Sequence, residues 1–245
     1  MIKKDKKTFW DVVMKENNIK RLTKSRSKFF YYVYKFYNRK DKNGKPVSFP
    51  NSSVYFHKRV LGKIRNSKDY VKLLNDTVFL EYIYATLSTW GMDRLGGGPR
   101  LVKFDDFRKN IWKHKKLLKE LSTYEINKLD EKNIQKVKDR LKDLFHNLVV
   151  MKSPMKLVGI SKALHHLLPD LVPPMDGNYT LYFFYGNSNY SESNQEKKFF
   201  EMFDKFCFIS KKLYLTNKDL KKQWDTSIPK LIDNAIIGFI PQDRY

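Results

Sequence analysis

Apolar positions recur at three- and four-residue steps over 68–90, KDYVKLLNDTVFLEYIYATLSTW. Tyr70, Leu73, Leu74, Thr77, Leu80, Ile83, Tyr84 and Leu87 share one face there, and that period predicts a single buried helix. Residues 7–19 and 24–38 also read as helices. In the second, Ser25 or Ser27 caps and Phe30, Val33, Tyr34 and Tyr37 fall on one face. Segments 103–121 and 130–149 are amphipathic and dense in lysine. A short helix is expected over 161–168, ended by Pro169 and Pro173–Pro174, and another over 197–214. The stretch 217–240 gives one or two more, interrupted at Pro229. Polar, Gly- and Pro-bearing strings at 39–53, 91–100 and 186–196 read as loops. Val and Ile alternation is nearly absent, so strands should be marginal or missing. The pattern predicts one all-α domain over 1–245, built from eight to eleven helices.

Charge then changes the picture. The 245 residues carry 49 Lys and Arg against 26 Asp and Glu, a formal net charge of +23. That is far more than solubility requires and favours a polyanionic partner, nucleic acid before anionic membrane. Ten of the cations are arginine and thirty-nine lysine. Abundant Lys, Asn, Tyr, Phe and Ile also follow from AT-rich coding, so charge by itself does not establish binding. The opening MIKKDKKTFWDVVMKE is charged throughout and predicts no secretory signal. No apolar run approaches a membrane span, so a soluble, cytoplasmic protein is expected. One cysteine, Cys207, excludes an intrachain disulfide and reads as a small buried hydrophobe. His165 and His166 are adjacent, so they should point to different faces, one packed and one exposed, and should not share a metal. No metal site and no cofactor is expected.

The least generic stretch is LVGISKALHHLLPDLVPPMD, residues 157–176. LVGIS followed by a helix has the composition of a tight turn between two helices, with Gly159 supplying the backbone freedom. Unpaired N–H groups at such a helix start bind phosphate whatever the base sequence. Gly159, Ser161 and Lys162 are therefore candidate backbone contacts. The bland reading makes Lys162 a solvated helix residue and Asp176 an N-cap for GNYTLYFF.

Turn, lysine, short helix, proline and then aspartate resemble the helix-hairpin-helix DNA glycosylase superfamily, the endonuclease III-like enzymes. The family pattern is approximately L-P-G-V-G-x-K-T-A, followed by a run ending V/P-x-D. Leu157, Gly159, Ile160, Lys162 and Asp176 carry the match. The resemblance spans about 140–176 with the preceding helix. It implies an all-α protein with two helical lobes around a cleft, binding duplex DNA and flipping a base. It also implies Lys162 as the amine that forms a Schiff base and Asp176 as the carboxylate that assists base loss. Two departures stand beside it. Aligning the glycines puts Ala163 at the nucleophile position, and the Lys162–Asp176 spacing is short for the family.

Further phosphate contacts are expected from Arg94 and Arg100 beside Trp90 in the Gly-rich connection. The stripe Arg108, Lys109, Lys113, Lys115, Lys116 and Lys119 on segment 103–121 is another. Three functions remain open: base excision or abasic-site cleavage, nucleic-acid binding without catalysis, and a helical protein that binds other proteins. Lys162 and Asp176 facing one cleft would favour the first, and opposite surfaces would remove its basis.

Overall fold

The computed structural model describes residues 17–40, 43–46, 51–93, 100–222 and 226–240. Among them no strand occurs. Two isolated bridges, Lys40 with Pro46 and Leu101 with Met151, are the only extended pairings. The protein is all-α, as its apolar spacing predicts.

Among the described residues twelve α-helices occur, against the eight to eleven helices expected. α1 covers 17–22, and the rest of the expected helix 7–19 lies outside the described residues. α2 (Arg26–Tyr37) starts where the Ser25 hydroxyl accepts from the Lys28 N–H. It buries Phe29, Tyr32, Val33 and Phe36, so the apolar face is one position off the expected one, and Tyr34 is exposed. α3 (Asn51–Asn66) was not expected at all and overlaps the end of the expected loop 39–53. The single helix expected over 68–90 is two, α4 (Tyr70–Leu73) and α5 (Thr77–Leu87). Asp69 accepts from the N–H groups of Val71 and Lys72. Asp76 accepts from that of Phe79, so each aspartate caps its own helix.

Segment 103–121 likewise divides at His114 into α6 (Phe104–Lys113) and α7 (Lys115–Leu121). α8 (Glu131–Asn147) is capped by Asp130. α9 is Leu157–Leu167, four residues longer at its start than expected. A π turn (Gly177–Leu181) and α10 (Tyr182–Tyr185) follow, with Asp176 capping as anticipated. After α11 (Gln195–Lys212), α12 (Ile228–Phe239) begins at Pro229 rather than breaking there. A proline costs nothing in a first helical turn, where no N–H partner exists.

The buried apolar residues form one cluster from Leu22 to Ile240, with Phe36 and Ile237 as a small satellite. Among the described residues this cluster does not itself mark out the two lobes that the glycosylase resemblance implies. α9 lies inside this core against α3, α5 and α11, and α2 runs along α12. Gly238 permits that last approach: a Cβ there would stand 2.0 Å from the Tyr32 carbonyl oxygen. Cys207 is buried, as its apolar surroundings predict.

Candidate functional site

α9 is enclosed nearly all round, ten of its eleven residues being buried. Lys162 sits in the middle of this helix, not in its first turn, with its ammonium enclosed. Burying an ammonium without partners is prohibitive, so its contacts define the site. After Leu168 the chain turns at Pro169 and returns antiparallel to the helix. Ser161 ties the return down: its hydroxyl oxygen accepts from the Met175 N–H at 3.1 Å and donates to the Val158 carbonyl at 2.9 Å. The His165 Nδ1–H donates to the Val172 carbonyl at 2.8 Å. These ties bring Asp176 Oδ2 to 3.1 Å from Lys162 Nζ. Ser161 is thus a fully buried stitch, a correction to its expected phosphate contact.

Lys162 Nζ also donates to the Trp90 carbonyl at 3.3 Å. A π turn over Ser88–Met92 releases that carbonyl, and Gly91 holds φ +80°, a left-handed conformation that other residues resist. The Asp176 carboxyl is raised by burial, but Lys162 and the N–H groups of Asn178 and Tyr179 outweigh this. They hold it below the ordinary carboxylate value. Lys162 and Asp176 are therefore brought together as an ion pair, with Lys162 enclosed in the core.

Around this pair lies a cluster that local sequence pattern does not show. Lys230 and Asp233 of α12 form a second ion pair at 2.5 Å, both buried. The Trp90 ring centroid lies 6.0 Å from Lys162 Nζ and 5.6 Å from Lys230 Nζ, between the two ammonium groups. Burial pushes the Asp233 carboxyl up, against the pull of Lys230. His57, from the unexpected helix α3, completes a directed chain. The His166 Nδ1–H donates to the Lys162 carbonyl at 2.7 Å, which leaves its Nε2 as an acceptor. The His57 Nδ1–H donates to that nitrogen at 3.2 Å, and His57 Nε2 accepts from the Thr226 hydroxyl at 3.1 Å. Desolvation lowers all three histidines, His166 to about 4, so the chain is neutral near pH 7. Both His165 and His166 are fully buried, against the expectation of one exposed. His165 Nε2 is buried with no hydrogen-bond partner. Among the described residues no group of three or more His, Cys, Asp or Glu is placed to hold a metal.

The ionic members differ in access. The Asp176 side chain is 31% exposed, against 8% for Lys162, 7% for Lys230 and 5% for Asp233. Asp176 is the solvent-facing member of the four.

The tight hairpin is corrected. Nine residues, 148–156, separate α8 from α9, and Gly159 lies within α9. Its small size makes room for Met151, whose Cγ and Sδ would stand 2.5 Å from an added Cβ. The helix start is already occupied. Gln195 Oε1 accepts from the Lys156 and Leu157 N–H groups at 2.9 and 3.2 Å. A phosphate bound there, through Gly159 or a surface Lys162, has no open donor of this set to meet.

The cations of α6 and α7 are different. Lys109, Lys113 and Lys116 are exposed, spaced four and three residues apart, and make no ion pair or hydrogen bond among the described residues. Beside them Trp112 is 37% exposed with Lys115 Nζ 3.9 Å from its ring centroid, and Arg108 lies over Phe104. Most cations of α8 are paired within the chain: Lys136 and Arg140 with Glu120, Lys138 with Asp204, Lys142 and His146 with Glu196, while Lys132 is exposed and makes no ion pair or hydrogen bond among the described residues. Arg100 is exposed beside the Leu101–Met151 bridge, and Arg94 lies outside the described residues.

No helix among the described residues is long and apolar enough to cross a membrane. Comparison with protein-family models, with curated proteins and with solved structures finds no match.

Proposed function

We propose that this protein binds nucleic acid through the α6–α7 face, with duplex DNA the first ligand to test. The observation that carries the reading is the contrast between two basic surfaces. α8 pairs four of its five Lys and Arg side chains with Glu120, Asp204 and Glu196, whereas Lys109 and Lys113 of α6 and Lys116 of α7 are exposed and make no ion pair or hydrogen bond among the described residues, beside an exposed indole. Unpaired lysines meet phosphates, and an aromatic ring near them offers a base a stacking surface. Lys109, Lys113 and Lys116 replaced together by Glu should weaken binding to a labelled duplex at least about tenfold in fluorescence anisotropy at low salt while leaving the melting transition in place. Unchanged affinity sinks the assignment of this face.

A second reading is favoured by one distance, the 3.1 Å between Lys162 Nζ and Asp176 Oδ2. It is abasic-site chemistry at that pair. The Lys162 amine, its proton given up to water, attacks the C1′ aldehyde of an open abasic sugar. The hydroxyl of the adduct takes a proton from water and departs as water, leaving an iminium whose charge the Asp176 carboxylate faces and which borohydride reduces to a stable secondary amine. Access would be from the Asp176 side. The reading expects a trapped protein–DNA adduct whose modified peptide maps to Lys162. No adduct on abasic DNA, or one at a surface lysine, leaves Lys162–Asp176 a structural ion pair.

A further inference from the structure

A groove of about 670 Å³ lies between the end of α8, the linker 148–156 and the start of α11. Its size is that of small-molecule sites. The walls are tied in place. The buried Gln195 amide accepts from the Lys156 and Leu157 N–H groups and donates to the Pro154 carbonyl at 2.8 Å, which holds the linker to α11. The linker is also bonded to 100–102, where the Val102 N–H donates to the Val150 carbonyl and the Lys152 N–H to the Arg100 carbonyl. The turn that carries Glu192 is closed twice. The Asn194 side chain accepts from the Ser191 N–H at 2.9 Å, and the Gln195 N–H donates to the Ser191 carbonyl.

Two kinds of surface line this frame. Val149, 46% exposed, and Pro154 present apolar area, while Phe145, Leu148 and Met151 are buried. Of the charged groups, Lys156 Nζ donates to the His146 carbonyl at 3.0 Å, and Glu196 is shared by Lys142 and His146. Lys152 and Glu192 differ from these. Both line the groove and are exposed, yet neither side chain makes an ion pair or hydrogen bond among the described residues, and they do not pair with each other.

We propose that this groove binds a free α-amino acid with an aliphatic side chain, its carboxylate on Lys152, its ammonium on Glu192 and its side chain against Val149 and Pro154. A cation and a carboxylate that line one groove without meeting suit a ligand that brings both opposite charges. A simple anion would be opposed by Glu192, and a simple cation by Lys152. The exposed apolar area favours an aliphatic side chain over none. None of these four residues enters the two readings above.

Titration of the isotope-labelled full chain with leucine, followed by backbone amide shifts, tests this. Shifts should concentrate in 148–156 and 190–196. Leucinamide, which lacks the carboxylate, and N-acetylleucine, which lacks the ammonium, should each bind at least about fivefold more weakly. Glycine, with no side chain to set against Val149 and Pro154, should also be weaker. Lys152→Met should lower leucine affinity to that of leucinamide, and Glu192→Gln to that of N-acetylleucine. Both positions are exposed, so the melting transition should stay in place. Three results overturn the inference: no leucine-induced shifts at this groove, any of the three analogues as tight as leucine, or either variant folded with wild-type affinity.

Discussion

The two lysine–aspartate pairs in the core are chemically alike and differ in what surrounds them. Asp233 is 5% exposed, so removing its cation strands a buried carboxylate, a loss of about 3–5 kcal/mol. Asp176 reaches water and accepts an N–H from Asn178, so removing its cation should cost less, about 1–3 kcal/mol. Urea denaturation should therefore rank Lys230→Met well below Lys162→Met in stability. Equal losses would mean that Asp176 is as enclosed as Asp233. The histidines make a second prediction. A group whose folded pKa is depressed below its unfolded value opposes folding once the unfolded chain takes up the proton. Stability is then complete above about 6.5 and falls as pH drops toward 4, the region to which His166 is displaced. At ~1.4 kcal/mol per unit, that displacement corresponds to about 3 kcal/mol for His166. Asp233, raised by burial, acts in the opposite sense at the acid end. Melting temperature should fall between pH 7 and pH 5 in wild type and fall less in His166→Gln. A flat profile would contradict neutral, buried histidines.

At the scale of elements, the closest approach is between α2 and α12. Gly→Ala inside a helix normally stabilises by about 1 kcal/mol. At Gly238 the added carbon meets the Tyr32 carbonyl at 2.0 Å and the Phe36 nitrogen at 2.8 Å, both backbone atoms. Gly238→Ala should therefore destabilise by about 3 kcal/mol or more, measured by denaturant unfolding, and a stabilised variant would contradict this packing. Periodicity makes α5 and α8 legible, because their inward faces are apolar at regular steps. α3 escapes it because its inward face includes Ser53 and His57 beside Val60 and Leu61, so polar residues interrupt the stripe. The divisions at Asp76 and His114 are invisible to apolar spacing, which runs on through both. Gly159 shows the opposite error, since a glycine needed for close packing against Met151 has the same letter as one needed for a turn. Lys162 and Asp176 can be paired from the sequence because a proline-stiffened return joins them over fourteen residues. His57 and His166 cannot, being 109 residues apart. Lys230 and Asp233 inside the apolar run IPKLIDNAIIGF were the available sign of a buried ion pair.

Over the whole molecule, a net charge of +23 is divided into cations that hold the fold and cations that do not. Lys162, Lys230 and Lys136, Lys138 and Lys142 of α8 belong to the first group, and Lys109, Lys113 and Lys116 to the second. Polyanion binding through the second group must weaken as salt rises, because each neutralised phosphate releases counterions and contributes about −0.9 to the slope of log K against log salt. The most direct measurement is therefore the affinity for one labelled duplex across a series of salt concentrations, for wild type and for the protein with Lys109, Lys113 and Lys116 replaced by Glu. The account predicts a steep negative slope in wild type, shallower by about 3 in the variant, roughly one for each lysine. No binding at low salt, or the same slope in both proteins, would contradict it.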